Sequence, residues 1–273
     1  MNWKVNEIDG IDYPVIDAHA HPYLNRDCPR NGPVDLVAFQ AGLAAAGISM
    51  FCGTANIRNN GENPEIIEQE NAEVLKWHDH FGKSFYPGVN IHPAFPAESI
   101  AAMDKFHSMG FRWIGEIAWY LQGYTAYATP EMNPILEAAE DLDMILNCHP
   151  TYADDLDRLL NNFPRLNVVI AHPESISGGC DGMYSLLEKH PNAYLDLSGD
   201  GLSRWHMLRW GIDRLGAEHI LFGTDYPINN PNMYVHGVLS EPLTDAERKA
   251  VFHDNFIRLT GIQFETGVDD ADC

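Results

Sequence analysis

At 273 residues and 45% hydrophobic content, the chain can bury a sizeable core and suits one large α/β barrel better than two average domains. A formal net charge of -22 argues against broad association with nucleic acid or anionic membrane surfaces. No apolar run is long enough to cross a bilayer, and the five scattered cysteines, without C-x-x-C spacing, fit neither a disulfide framework nor a zinc knuckle.

The first predicted element is a strand over 15–21, Val-Ile-Asp-Ala-His-Ala-His. Alternate side chains on a strand share a face, so His19 and His21 converge at its C-terminal end, with Asp17 on the same side. A helix over 34–46 follows, then strand 48–55, helix 64–82, strand 85–91, helix 96–109 and strand 111–118. The second half reads helix 131–142, strand 144–149, helix 153–162, strand 167–172, helix 180–189, strand 193–198, helix 204–215, strand 219–225 and helix 244–260. Thr129-Pro130-Glu131 and Thr244-Asp245-Ala246-Glu247 carry helix-start signals, the first with Pro in the opening turn and the second with acidic residues there. Eight strands alternating with eight helices is the order of a (β/α)8 TIM barrel. We expect a single domain over 1–273, with the barrel at about 15–260 and an acidic tail over 263–273.

Later strand-like runs end in Glu116, His149, His172 and Asp225. A polar residue before Pro is an ordinary exit from a strand, but chance would scatter such residues over both strand ends and all the helices. Histidine and carboxylate are ligands for divalent ions, and this fold gathers the C-terminal ends of its strands at one mouth. The alternative for Glu116 is a buried ion pair with Arg112. Substrate-contact candidates around that mouth are His92, Tyr120, Arg58 and Arg204, with Trp119 and Tyr124 as further walls and Ser198 and Asp200 nearby by position alone. The segments 23–33 and 226–242 are long enough to shape a pocket. Cys148 should face away from His149, and Cys28, in a loop close to the His pair, is the weaker candidate for a thiol role. Reduced thiols and an N-terminus without a signal-like segment point to the cytoplasm.

The chain resembles the amidohydrolase superfamily of metal-dependent barrel enzymes, specifically the amidohydrolase-related (amidohydrolase 2) branch, which also contains decarboxylases, with some features of TatD-type hydrolases. The marks are His19-x-His21, Asn90-Ile-His92-Pro93, Gly115-Glu116-Ile117, His149, His172 and Gly223-Thr-Asp225-Tyr-Pro227, spread from Val15 to about Leu259. The resemblance implies that His19, His21 and Asp225 bind one metal and that Glu116 bridges to a second held by His149 and His172. Some relatives place a carboxylated lysine on the fourth strand, where this chain offers Glu116. The implied cofactor is one or two divalent ions, Zn²⁺ in the first place, with Mn²⁺ or another divalent ion as alternatives. The implied chemistry is hydrolysis of an amide, ester or lactone bond in a small molecule, with Asp225 as general base and proton carrier and His172 helping to polarise the scissile group. The main rival is a metal-dependent decarboxylase on the same scaffold, then a TatD-like nuclease or deacylase, then a binding protein on a borrowed barrel. No nucleic-acid or membrane partner is expected, and a homo-oligomer is compatible with the sequence.

Overall fold

The computed structural model describes residues 5–24, 32–173 and 175–263. Cys28 and the tail from 264 onward, both considered above, lie outside the described residues. Eight parallel strands run in chain order: β1 (Val15–Asp17), β2 (Ile48–Gly53), β3 (Phe85–Val89), β4 (Trp113–Ile117), β5 (Ile145–Cys148), β6 (Asn167–Ile170), β7 (Ala193–Asp196) and β8 (Ile220–Leu221). The ring closes just beyond the regular strands. The Ala18 amide donates to Phe222 at 2.8 Å, the Asp225 amide to His19 at 2.8 Å, and Ala20 pairs with Tyr226 in a parallel bridge. The fold is a (β/α)8 barrel, and its closure brings the residues after β1 against those after β8.

Between the strands lie α1 (Leu36–Ala45), α2 (Glu65–Phe81), α3 (Pro96–Ser108), α4 (Trp119–Gln122), α5 (Asn133–Asp141), α6 (Ala153–Asn162), α7 (Gly179–Leu187), α8 (Met207–Leu215), α9 (Pro231–Ser240), α10 (Asp245–Lys249) and α11 (Asn255–Thr260). Four differences from the sequence reading have local causes. The predicted helix over 131–142 starts at Asn133, because Thr129 instead caps a preceding turn by accepting the Met132 amide at 3.3 Å. The predicted helix over 244–260 starts with a Thr244–Glu247 capping box but widens into a π-helical segment at Ala250–Asp254, which separates α10 from α11. The single-turn α4 is too short to show a period. The fourth, α9, has Asn230 as its N-cap and Pro231 in its first turn, yet its Tyr234, Val235, Gly237 and Val238 are weak helix formers.

Inside the barrel, Ile16, Met50, Tyr86, Trp113, Ile145, Val169 and Leu221 form an apolar floor. Phe256 of α11 closes it from below, 5.3 Å from the Trp113 ring and 5.4 Å from the Tyr86 ring. Water is thus kept from the strand starts, and the strand ends carry the polar groups. A second, larger apolar shell packs the outer strand faces against the helices, and Cys148 belongs to it, facing away from His149 as alternation requires.

One buried carboxyl outside the barrel makes a stability prediction. Glu70 of α2 is 1% exposed and accepts the Ile57 amide at 2.6 Å and a Gln122 Nε2–H at 3.3 Å. Burial pushes its pKa up to about 8 from an ordinary value of 4.5. A raised carboxyl pKa favours the protonated fold, so the cost of ionising Glu70 is absent below pH 4.5, grows towards pH 8 and is constant above it. Glu70→Gln keeps the acceptor and removes the charge. It is expected to stabilise the protein by roughly 2–4 kcal/mol at pH 8 and by almost nothing at pH 4.5, read from urea midpoints. An equal effect at both pH values would sink this account.

Candidate metal centre

Six side chains from five βα units meet at the C-terminal mouth. His19 and His21 leave β1 together, and their Nε2 atoms lie 3.2 Å apart. Glu116 on β4 points between the two histidine groups. Its Oε2 is 3.2 Å from His21 Nε2 and 3.3 Å from His19 Nε2, while its Oε1 is 2.9 Å from His149 Nδ1 and 3.3 Å from His172 Nε2. Asp225 stands across the mouth, its Oδ1 3.7 Å from His19 Nε2 and 3.9 Å from His21 Nε2. Gly115 lets β4 carry Glu116 here: its φ is +90°, and a Cβ would lie 2.1 Å from the Asn147 carbonyl oxygen. His172 and Asp225 also hold left-handed backbone, with φ of 55° and 59°. That conformation costs about 1–2 kcal/mol per residue and persists only where the surroundings enforce it.

Hydrogen bonds at the far side of each ring determine what these atoms can do. His19 Nδ1 lies 3.0 Å from Asp196 Oδ2, and His21 Nδ1 lies 3.3 Å from the Thr54 carbonyl oxygen. Both partners are acceptors, so the neutral rings carry their protons on Nδ1 and direct Nε2 lone pairs at each other and at the Glu116 carboxylate. Three acceptors then sit 3.2–3.3 Å apart with no proton among them. Four ligands about 2.0–2.1 Å from a tetrahedral ion are themselves about 3.3–3.4 Å apart. The donor set therefore fits a divalent ion, and the two groups His19–His21–Glu116 and Glu116–His149–His172 share one carboxylate.

Without a metal the charges are balanced by protons. Burial opposes ionisation of Glu116, yet His19 and the hydrogen bonds from His149, His172 and His19 hold it well below the usual carboxylate range. Asp196 is likewise lowered, its burial outweighed by His19, His172 and Ser198. The His19 pKa rises well above 6.5, because Asp196 and Glu116 outweigh its burial. His172 is raised in the same way, against its burial, by Glu116. Asp225 is raised, with burial exceeding the pull of His19 and His21. Burial also lifts Asp17 to about 7; it accepts the amides of His19 and Thr224 at 3.0 Å and stays beneath the cluster.

A model of the amidohydrolase family matches residues 16–262. The chain belongs to this amidohydrolase family. Solved structures similar to it include 2,6-dihydroxybenzoate decarboxylase from Rhizobium, at 17% identity and TM-score 0.67, covering 91% of this chain and 98% of that one. A 5-carboxyvanillate decarboxylase from Novosphingobium aromaticivorans, complexed with manganese, is 13% identical with TM-score 0.71, covering 96% and 100%. A Pseudomonas putida protein provisionally assigned as a 2-pyrone-4,6-dicarboxylic acid hydrolase is 18% identical with TM-score 0.70, covering 93% and 100%. No match was found among curated proteins.

The remaining candidates in this amidohydrolase barrel divide by their contacts. Tyr120 is 47% exposed on the rim, with its ring centroid 4.9 Å from that of His149. His92 is buried with both ring nitrogens engaged: Nδ1 accepts the Ala94 amide at 3.0 Å and Nε2–H donates to the Gln122 carbonyl at 2.8 Å. It ties the loop after β3 to α4, which leaves no nitrogen for a substrate. Arg58 is exposed, and Arg204 is an exposed residue lining a cavity with Gly178–Asp181 and Trp210. Among the described residues, the ion pairs of Glu116, Asp196 and Asp225 are all with histidines. Arg112 pairs instead with Asp143 at 2.6 Å, which removes the alternative role for Glu116. Trp119 donates its indole N–H to the Pro150 carbonyl at 2.9 Å, fixing the wall between β4 and β5. Sequence reasoning missed Asp196 and Asn147, although Asp196 closes an apolar strand in the same position as the other acids.

Proposed function

We propose that the chain is a metal-dependent hydrolase that cleaves an amide, ester or lactone bond in a small molecule. The observation that carries this reading is the division of Glu116 between two histidine pairs, one at each carboxylate oxygen. A single ion needs no such bridge; two adjacent divalent ions repel and require an anion between them. In this reading His19, His21 and Asp225 would hold one ion, Zn²⁺ by preference, His149 and His172 would hold the second, and Glu116 would be common to both; Asp225 lies within reach of His19 and His21 and also groups with His19 and His172. Bound there, the ions supply Lewis acidity and lower the pKa of a coordinated water to about 7.

The chain's own residues do the rest. Asp225 takes the proton from the attacking water and returns it to the leaving group, so it must reach both in turn. Its backbone is held on both sides without engaging the carboxylate: the amide donates to His19 at 2.8 Å, and the carbonyl accepts the Ile228 and Asn229 amides at 2.9 and 3.2 Å. His172 directs its Nε2 at Glu116 Oε1, 3.3 Å away, and its Nδ1 at the Ser198 hydroxyl, 3.1 Å away, so it would serve the scissile group by holding an ion and not by polarising it directly. Tyr120 forms a rim on which an uncharged part of a substrate can rest.

A second reading, a metal-dependent decarboxylase, is favoured by the decarboxylases among the similar structures. It would use one ion and a cationic group for the substrate carboxylate. Metal content per chain decides between the two, measured by inductively coupled plasma mass spectrometry on protein purified without chelator or His-tag. Two ions, with turnover of amides, esters or lactones and no release of carbon dioxide, are expected. One ion with carbon dioxide release from an aromatic carboxylate would transfer the assignment to a decarboxylase, and no metal after reconstitution would sink both.

A further inference from the structure

We infer that Asp196 and Ser198 act as one positioning unit that sets the ring protons of His19 and His172 together and so couples the two ion positions. This rests on the metal-bridged reading above. The unit is an Asp-x-Ser sequence at the end of β7, whose alternate side chains share the barrel face. Both residues are completely buried.

Asp196 has no capacity left to be a ligand itself. Its Oδ2 accepts the His19 Nδ1–H at 3.0 Å and an Asn147 Nδ2–H at 3.0 Å. Its Oδ1 accepts the Ser198 amide at 3.0 Å and the Ser198 hydroxyl. With four donors on two oxygens the carboxylate is saturated and fixed in place.

The Ser198 hydroxyl has one proton, and Asp196 receives it. Its oxygen can then only accept from the two histidine nitrogens that flank it, His19 Nδ1 and His172 Nδ1, each at 3.1 Å. His172 must therefore carry its proton on Nδ1 and present an Nε2 lone pair towards Glu116, 3.3 Å away. Gly199 leaves room for this arrangement: its φ is +64°, and a Cβ there would lie 2.5 Å from His172 Nδ1. One carboxylate thus orients a histidine of each ion position, His19 directly and His172 through a hydroxyl. Outer hydrogen-bond partners of metal-bound histidine typically change metal affinity by about 10–100-fold.

The consequence is asymmetric. Ser198→Ala removes the acceptor of His172 and leaves the Asp196–His19 bond in place. Asp196→Asn replaces the acceptor of His19 and of the Ser198 hydroxyl that orients His172 with an amide that cannot accept all four donors. Metal-free wild type, S198A and D196N should be titrated with Co²⁺ by calorimetry, with ion counts from mass spectrometry and histidine tautomers from nitrogen-15 NMR of the zinc-loaded proteins. Wild type should bind two ions. S198A should keep the first with unchanged affinity and weaken the second about 10–100-fold, with the His172 tautomer mixed and the His19 tautomer intact. D196N should weaken both.

Wild type that binds no Co²⁺ would overturn the metal reading itself. Wild type that binds two, with S198A binding both as tightly or weakening both equally, would overturn the coupling alone. Should D196N not fold, the tautomers and two affinities of S198A still decide the question.

Discussion

Exchanging Glu116 for Gln is expected to abolish binding of one ion, weaken the other by more than about 100-fold and remove measurable hydrolysis, a larger loss than deleting an outer hydrogen-bond partner. The substitution preserves shape and removes only the negative charge and two of the acceptor lone pairs. Four histidine nitrogens lie 2.9–3.3 Å from this one carboxylate, so the change reaches both ion positions at once. An amide N–H can still bond one imidazole lone pair, which replaces a ligand by a hydrogen bond. A second measurement separates this from a folding defect. Ions that bind only the native state raise its stability, so wild-type protein should lose thermal stability in chelator while Glu116→Gln should be indifferent to it. A variant that retains two ions per chain, or whose melting temperature falls in chelator as far as wild type, would remove Glu116 from the centre of the site.

The barrel was legible because its two periods are written separately. Short apolar runs specify the strands, and each amphipathic stretch between them specifies the connection back. The strand ends were legible for a related reason: a buried floor of Ile16, Met50, Tyr86, Trp113 and Ile145 cannot hold charge, so acids and histidines collect where it stops. What sequence could not separate was the use made of identical local patterns. His92, His149 and His172 all follow apolar runs, and each precedes a proline. Only the fold brings the Gln122 carbonyl to His92 and makes it a loop tie, while His149 and His172 meet Glu116. Arg112 is ambiguous in sequence in the same way, and only the fold sets Asp143 beside it. Asp196 is readable as a strand-end acid, but its role depends on Ser198 beside it and on Asn147 and His19, which come from two other strands.

Asp225→Asn separates binding from chemistry. Asp225 stands further from the first histidine pair than Glu116 does: its Oδ1 is 3.7 Å and 3.9 Å from the two Nε2 atoms that Glu116 approaches at 3.3 Å and 3.2 Å. An asparagine oxygen can replace it as a weak ligand, so the ions held by the histidines and Glu116 should remain. An amide cannot take up a proton at neutral pH, and the transfer from water to leaving group then loses its carrier. A positioned general base contributes about 10²–10⁴-fold, so kcat should fall by that factor at nearly full metal occupancy. The pH profile carries the sign: a base works when deprotonated, so wild-type kcat/KM rises with pH along its acid limb, and that limb should flatten in the variant. Loss of activity through loss of metal would instead appear as a fall in ion content that added Zn²⁺ repairs. Normal hydrolysis by an Asp225→Asn protein with its metal in place would show that the proton travels by another route, and the buried carboxyl at the end of the eighth strand would have to be a ligand only.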